Sequence, residues 1–218
     1  MCFEFIQGEG GFNVGDRDFF LALIKVLKEH KVAVLVDEVQ TFTRSTELFA
    51  YQYFGLDEYV DIVWLGKASQ VCATLYRKDF NPKPGLLSQT YTASTTALAA
   101  GKYILNHLLE GGYYGEGGKI AKLHQYVRGK LQAIAEKHPD LVSGPYGIGA
   151  MCAFTPLGGN PEIVKKFTNA LYANGVMGFF AGSDPLRFRF LLPFCVVTEQ
   201  DIDTVMNVVE KTLLEVKE

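Results

Sequence analysis

An acid and an amine stand one crossover apart in this chain, and their placement is the first hint of chemistry. Asp37 closes the run Val-Ala-Val-Leu-Val at 32–36, and Lys67 follows a second apolar run at 61–65 through Gly66. A continuous, β-branched run of this kind predicts a strand covered on both faces in a parallel sheet. The chain between the two runs suits a single crossover, with a helix predicted over 47–54. If the strands are parallel neighbours, Asp37 and Lys67 leave the sheet at one carboxyl edge, where open α/β sheets bind ligands. Each residue alone has an ordinary explanation. An Asp past a strand commonly caps a turn or helix, and a Lys there is commonly solvated. As a pair, a fixed anion and an amine suit a ligand with a cationic ring nitrogen and an aldehyde.

Pyridoxal phosphate (PLP) is such a ligand. The spacing permits it without requiring it. Other residues widen the picture. Gln7-Gly8-Glu9-Gly10-Gly11 is a flexible, close-approach loop but not the dinucleotide pattern G-x-G-x-x-G. Its Glu9 reads either as a solvated loop carboxylate or as one held in a cleft against a cation. The hydroxyls of Ser88, Thr90, Tyr91, Thr92 and Ser94 either cap the next helix or donate to a phosphate. Arg187 and Arg189 alternate on a predicted strand at 186–192. On an edge strand such residues are usually solvated, yet a guanidinium inside an apolar strand needs a partner, and its planar fork fits a carboxylate. Glu9 or a substrate carboxylate would meet that need.

The elements that must position these residues follow from periodicity. A strand at 2–6, an amphipathic helix at 19–29 and the strand at 32–36 open the chain as β-loop-α-β. A strand at 71–76, the breaker Asn81-Pro82-Lys83-Pro84-Gly85 and a long helix at 95–109 follow, and Gly111-Gly112 marks a domain boundary. Helices are expected at 120–137, 161–173 and 199–216, with strands ending at Phe154 and over 186–192. This alternation predicts a small α+β domain at 111–218 after a mostly parallel α/β region at 1–110. With 218 residues, 48% hydrophobic and 21% charged, the chain is an ordinary globular one, and a net charge of −3 gives no reason to expect nucleic acid. No run is long enough to span a bilayer, and the opening MCFEFIQ has no export pattern. Four scattered cysteines without a C-x-x-C pair suggest a reducing, cytoplasmic compartment. Cys72, Cys152 and Cys195 sit among apolar neighbours, as buried thiols do. The four histidines lack metal spacing and read as surface residues, so no metal is expected.

Several stretches, in order along nearly the whole chain, resemble the class III PLP-dependent aminotransferases of fold type I. They are Ile6-Gln7-Gly8-Glu9-Gly10-Gly11, Val36-Asp37-Glu38-Val39-Gln40-Thr41, Arg44 with Leu48-Phe49-Ala50, Leu65-Gly66-Lys67, Thr90-Tyr91, and Arg189 through Pro193-Phe194. Gln70-Val71-Cys72 and Met151-Cys152-Ala153-Phe154 look like the lysine ε-aminotransferase and 4-aminobutyrate aminotransferase branch. The resemblance implies a homodimer and transfer of an amino group from an ω-amino acid or lysine-like donor to 2-oxoglutarate. It makes Lys67 the Schiff-base lysine and proton shuttle, in surroundings of low dielectric that favour the neutral amine. Asp37 would keep the pyridine nitrogen protonated, Val39 pack on the ring, Gln40 bond its phenolic oxygen, and Thr90 reach the phosphate of the neighbouring subunit. Arg189 would hold a substrate carboxylate, with Glu9 covering it at other times and Arg187 as the rival for its role.

The chain also departs from that family. Members are much longer, so the resemblance implies a carboxyl-terminal half whose missing part carries the phosphate-binding glycine-serine loop and the aromatic that stacks on the ring. Without that part the first sheet would show an open edge and uncovered core, and the chain alone is expected to be poorly soluble or partner-bound. The loop after Thr41 is one residue shorter than usual, and Ala68-Ser69-Gln70 replaces the usual glycines after the lysine. Ala93-Ser94-Thr95 or nearby replaces the usual G-N-P after the phosphate threonine. These changes favour a second possibility, a non-catalytic subunit acting by association. Retention of Asp37, Gln40 and Lys67 together speaks against it. A third is another PLP reaction, such as aminomutation or decarboxylation, on the same scaffold.

Overall fold

The computed structural model describes residues 1–217 except 89, 91 and 93. It divides into one unit of Met1–Phe5 with Gly15–Gly115 and another of Ile6–Val14 with Glu116–Glu218.

The first unit contains β1 (Cys2–Phe3), α1 (Arg17–Glu29), β2 (Leu35–Asp37), α2 (Ala50–Tyr53), β3 (Ile62–Leu65), β4 (Ala73–Tyr76) and α3 (Thr95–Glu110). Its sheet runs β1-β2-β3-β4; β1, β2 and β3 are parallel and β4 is antiparallel to β3. Asp16 caps α1 by accepting the Asp18 and Phe19 N–H groups, and the helix buries Phe20 and Ile24. Phe20 meets Phe3, Phe5 and Phe54 in one ring cluster. Several predicted elements are shorter than expected, the strand at 2–6 being only Cys2–Phe3 and that at 71–76 beginning at Ala73. Val32 is spent on the end of α1, its N–H donating to Leu27 O, so β2 begins only at Leu35. The helix expected at 47–54 starts at Ala50 because Phe49 is extended and its N–H donates to the Gln52 side chain. In the hydroxyl-rich stretch, Ser94 caps α3 by accepting the Ala97 N–H, whereas Tyr91 lies outside the described residues.

The second unit holds the loop Ile6–Val14, α4 (Lys119–Lys137), β5 (Val142–Tyr146), β6 (Met151–Pro156), α5 (Pro161–Ala173), β7 (Phe179–Ala181), β8 (Arg187–Leu191) and α6 (Glu199–Lys217). Its antiparallel sheet runs β5-β6-β8-β7, so β8 is an interior strand and not the edge strand on which solvated arginines would be ordinary. Phe154, Phe167 and Phe188 interlock at its core with Leu131, Val209 and Leu213. A mostly parallel mixed sheet and an antiparallel α+β region are what the sequence led one to expect of this fold class.

The cysteine and histidine expectations need correction. Cys152 is buried and its thiol is pushed up to about 12 by desolvation, but Cys72 and Cys195 are exposed. Cys72 belongs to the turn before β4, all four residues of which are exposed, and Cys195 to the loop after β8, so their apolar neighbours do not cover them. His124 and His138 are half-buried, bonded to Gly149 O and Glu210, and are not free surface residues. Among the described residues no helix is long and apolar enough to cross a membrane, and no cluster of potential metal ligands occurs.

Asp61 ties the first unit together at the start of β3. It is buried, and its Oδ2 accepts the Val34 N–H at 2.8 Å and the Lys28 ammonium at 2.6 Å. Asp61→Ala would strand a buried N–H and release α1. The half-exposed lysine adds little, so the loss expected is about 2–3 kcal/mol, read from denaturant unfolding of this unit.

Candidate active site

The site is assembled by the β2–β3 register. Leu35 pairs with Ile62, Val36 with Val63 and Asp37 with Trp64, all parallel, and Glu38 N–H continues the ladder onto Trp64 O at 2.8 Å. Asp37 and the turn beginning at Lys67 therefore emerge at one carboxyl edge. Asp37 is half-buried; its Oδ1 accepts the Val39 N–H at 2.9 Å, and its other oxygen has no hydrogen bond among the described residues. Val39 is half-buried and Gln40 buried. A cleft of about 680 Å³ opens beside them, lined by Val39, Trp64, Leu65, Cys72, Ala73, Thr74, Leu87 and Thr92.

Lys67 sits on a one-turn helix with φ 54°, a left-handed conformation unusual outside glycine and worth attention where it marks a site. Its side chain is exposed, so the low-dielectric surroundings expected for it are not supplied by the described residues of this chain. Thr90 is exposed as well. α3 packs against the Lys67 turn, and Gly101 makes this possible: a Cβ there would lie 2.7 Å from Ser69 O. Ser69 is buried and donates its hydroxyl to Val71 O. A glycine inside a helical pattern was the only sequence signal for this contact.

Glu38 was not among the sequence candidates, yet it organises the edge. It is fully buried; Oε2 accepts the Ala50 N–H and the Thr41 hydroxyl, and Oε1 accepts the Tyr51 N–H. It thus links β2, the loop carrying Val39 and Gln40, and the start of α2. Burial pushes its carboxyl up to about 7, against the lowering effect of those three hydrogen bonds, with the neighbouring Asp37 charge adding to the rise. In the same loop Thr43 is buried at φ 69° with its hydroxyl lacking a hydrogen bond among the described residues, a strained choice for a β-branched residue.

The second unit brings together two other candidates. Arg189 is 7% exposed on β8; its Nη1 donates to Gly8 O at 3.1 Å and its Nη2 to Glu9 Oε1 at 2.8 Å. Arg187 is half-buried and donates to Gly11 O and the Asn13 side chain. The structure therefore pairs Glu9 with Arg189 and gives Arg187 neutral acceptors.

The first unit thus carries Asp37 and Lys67 at one parallel edge, and the second unit pairs Arg189 with Glu9. The aminotransferase class III family model matches residues 1–213, and the chain belongs to that family. L-lysine-epsilon aminotransferase of Mycobacterium tuberculosis strain H37Rv is 30% identical over 223 residues, covering 97% of this chain and 47% of that protein. The mitochondrial 4-aminobutyrate aminotransferase of Sus scrofa is 29% identical over 194 residues, covering 88% and 38%. A solved structure of lysine aminotransferase from M. tuberculosis superposes with a TM-score of 0.85 at 28% identity, covering 99% of this chain and 49% of that one. The chain spans about half the length of the curated relatives it matches and resembles their carboxyl-terminal half. The family uses PLP.

Two measurements probe the edge. The carboxyl of Glu38 rises on folding, so the folded state holds more protons between the unfolded value and about 7. Stability should fall as pH rises from about 5 to about 7, by roughly 3 kcal/mol, and Glu38→Gln should flatten that slope in pH-dependent unfolding. Gly101→Ala should destabilise despite a helix-propensity gain of about 1 kcal/mol, because the clash is with backbone; a rise in melting temperature would contradict this.

Proposed function

We propose that this chain supplies the lysine-bearing portion of a PLP-dependent transaminase that moves an amino group from an ω-amino acid or lysine-like donor to 2-oxoglutarate. The observation that carries the reading is the parallel register that delivers Asp37 and Lys67 to one sheet edge. The residues there fit the cofactor: a carboxylate with one oxygen unengaged among the described residues, an apolar valine beside a cleft, a buried amide and an exposed primary amine. When bound, PLP supplies an electron sink for the bond broken at the substrate carbon. Lys67 Nζ would hold the cofactor through its aldehyde and would carry a proton at the substrate carbon. Asp37 would hold the proton on the ring nitrogen, Val39 would pack on the ring and Gln40 would donate to its phenolic oxygen. Thr90 serves the phosphate of a neighbouring subunit, so the working form is a homodimer. Arg189 binds a substrate carboxylate, and Glu9 covers that arginine when the substrate brings none.

The exposed residues of β4 and the exposed Trp64 support dependence on the portion that the relatives have in addition. Activity is accordingly proposed for this chain together with an amino-terminal half, which supplies the phosphate loop and encloses Lys67. The alternative is a non-catalytic subunit that acts only by association with such an amino-terminal half, a reading that the exposed Lys67 favours.

The test is spectroscopic. Mixed with PLP, alone or with a co-expressed amino-terminal half, the chain should develop a visible absorbance band from covalent attachment at Lys67, and Lys67→Ala should abolish it. A panel of amino donors with 2-oxoglutarate then separates transamination from aminomutation or decarboxylation. Absence of the band under both conditions overturns the enzyme reading.

A further inference from the structure

We propose that Arg187 is a positioning residue that anchors the loop Ile6–Val14, keeping Glu9 seated on Arg189 and so setting how readily a dicarboxylate enters. The inference rests on the carboxylate-binding role given to Arg189 above.

Arg187 and Arg189 are two positions apart on β8 and so share a face of the sheet. Both reach the same loop, at different places and with different chemistry. Arg189 holds its early part, through the Gly8 carbonyl and the Glu9 carboxylate. Arg187 holds its later part: Nη1 donates to Gly11 O at 2.6 Å and to Asn13 Oδ1 at 2.9 Å, and the guanidinium carbon lies 3.6 Å from the Tyr146 ring centroid. A carbonyl, an amide and an aromatic face are fixed neutral partners, and none is a carboxylate that a ligand would replace. The Glu9 carboxylate is different. Its side chain is 73% exposed, so its grip on Arg189 is partly solvated and exchangeable.

The backbone carries the anchor to Glu9. Ile6 bridges Val14, Gln7 N–H donates to Asn13 O and Phe12 N–H to Gln7 O, which closes the loop on itself. Glu9 O accepts the Gly182 N–H at 2.8 Å. Gly11 is at φ +103°, and a Cβ there would lie 3.4 Å from both Arg187 Cδ and Gly182 Cα, so the loop lies directly on its anchor. Releasing Arg187 loosens the loop at Gly11 and Asn13. Glu9 then covers Arg189 for less of the time, and a ligand carboxylate meets less competition.

Calorimetric titration of the chain, co-expressed with an amino-terminal half, with glutarate, an unreactive dicarboxylate, tests this. Glu9→Gln should tighten binding about 5-fold and Arg187→Gln about 3-fold, the range of a partly solvated ion pair. In the Glu9→Gln background, Arg187→Gln should change nothing further, because its effect passes through Glu9. Arg187→Lys, which keeps one donor to Gly11, should return affinity towards wild type. Asn13→Ala leaves β8 untouched but removes the Arg187 acceptor together with the bonds its amide donates to Gly10 O and Gln7 Oε1, so it loosens the loop and should tighten binding slightly even if the β8 variant folds poorly. Weaker binding on Arg187→Gln in both backgrounds would make Arg187 a direct carboxylate ligand and overturn the proposal, as would tightening that persists without Glu9. Absence of glutarate binding to the wild-type chain overturns the gate as well, yet leaves the Lys67 absorbance test of the transaminase reading standing.

Discussion

Two parallel strands deliver side chains to a common edge only if their register is held, and here it is held around Val34 and Asp61. Val34 O accepts both the Asp61 and the Ile62 N–H, while the Asp61 carboxylate takes the Val34 N–H in return. A slip of one residue would reverse which face each side chain occupies and would bury or expose the wrong member of every pair. The Lys28 ammonium on the same carboxylate extends the constraint to α1. The relative placement of Asp37 and the Lys67 turn is thus determined at the opposite end of the strands, before any ligand arrives. This is how a short sheet of apolar residues specifies a polar site.

The two adjacent acids of the edge show how burial divides labour between like groups. Asp37 keeps part of its surface, and one of its oxygens makes no hydrogen bond among the described residues, whereas Glu38 is enclosed and spends both oxygens on Thr41, Ala50 and Tyr51. Strand alternation sends consecutive side chains to opposite sides, so one carboxylate faces the edge while the next faces the core. The buried one gains three hydrogen bonds and still has its carboxyl pushed up to about 7, which means that desolvation outweighs them. Thr43 adds strain to the same loop. A left-handed φ and a buried hydroxyl without a hydrogen bond among the described residues are both unfavourable, so the surrounding packing, with Phe42 against Phe49, must compensate.

Much of this was legible from residue pattern alone. The apolar run ending in Asp37 and the run ending in Gly66-Lys67 read as parallel strands, and α5 reads cleanly because Asn160 and Pro161 announce its start and Asn174-Gly175 its end. The short strands were harder. β5 contains Gly144 and Pro145, and β7 is the three residues Phe179–Ala181, so neither shows alternation long enough to count. Local hydrophobicity likewise misjudged Cys72 and Cys195, since exposure depends on which elements lie above a residue. Glu38 and Asp61 were opaque for a related reason. Their partners are backbone N–H groups brought close only by tertiary structure, and no spacing rule encodes them.

The two arginines of β8 carry that lesson to its limit. Alternation places them on one face with equal reach, and residue type is identical, so nothing local ranks them. What separates them is the chemistry of the acceptor. A guanidinium bonded to a backbone carbonyl, an amide and a ring face has partners that leave only if the fold opens. A guanidinium bonded to a largely exposed carboxylate has a partner of the same class as a ligand, and exchanging one carboxylate for another leaves the number of charge-assisted bonds unchanged. An exchange of that kind needs the outgoing carboxylate to have solvent to enter and the loop bearing it to stay in place. If Arg189 binds a substrate carboxylate as proposed, the exposure of Glu9 meets the first requirement and the bonds of Arg187 to Gly11 and Asn13 meet the second.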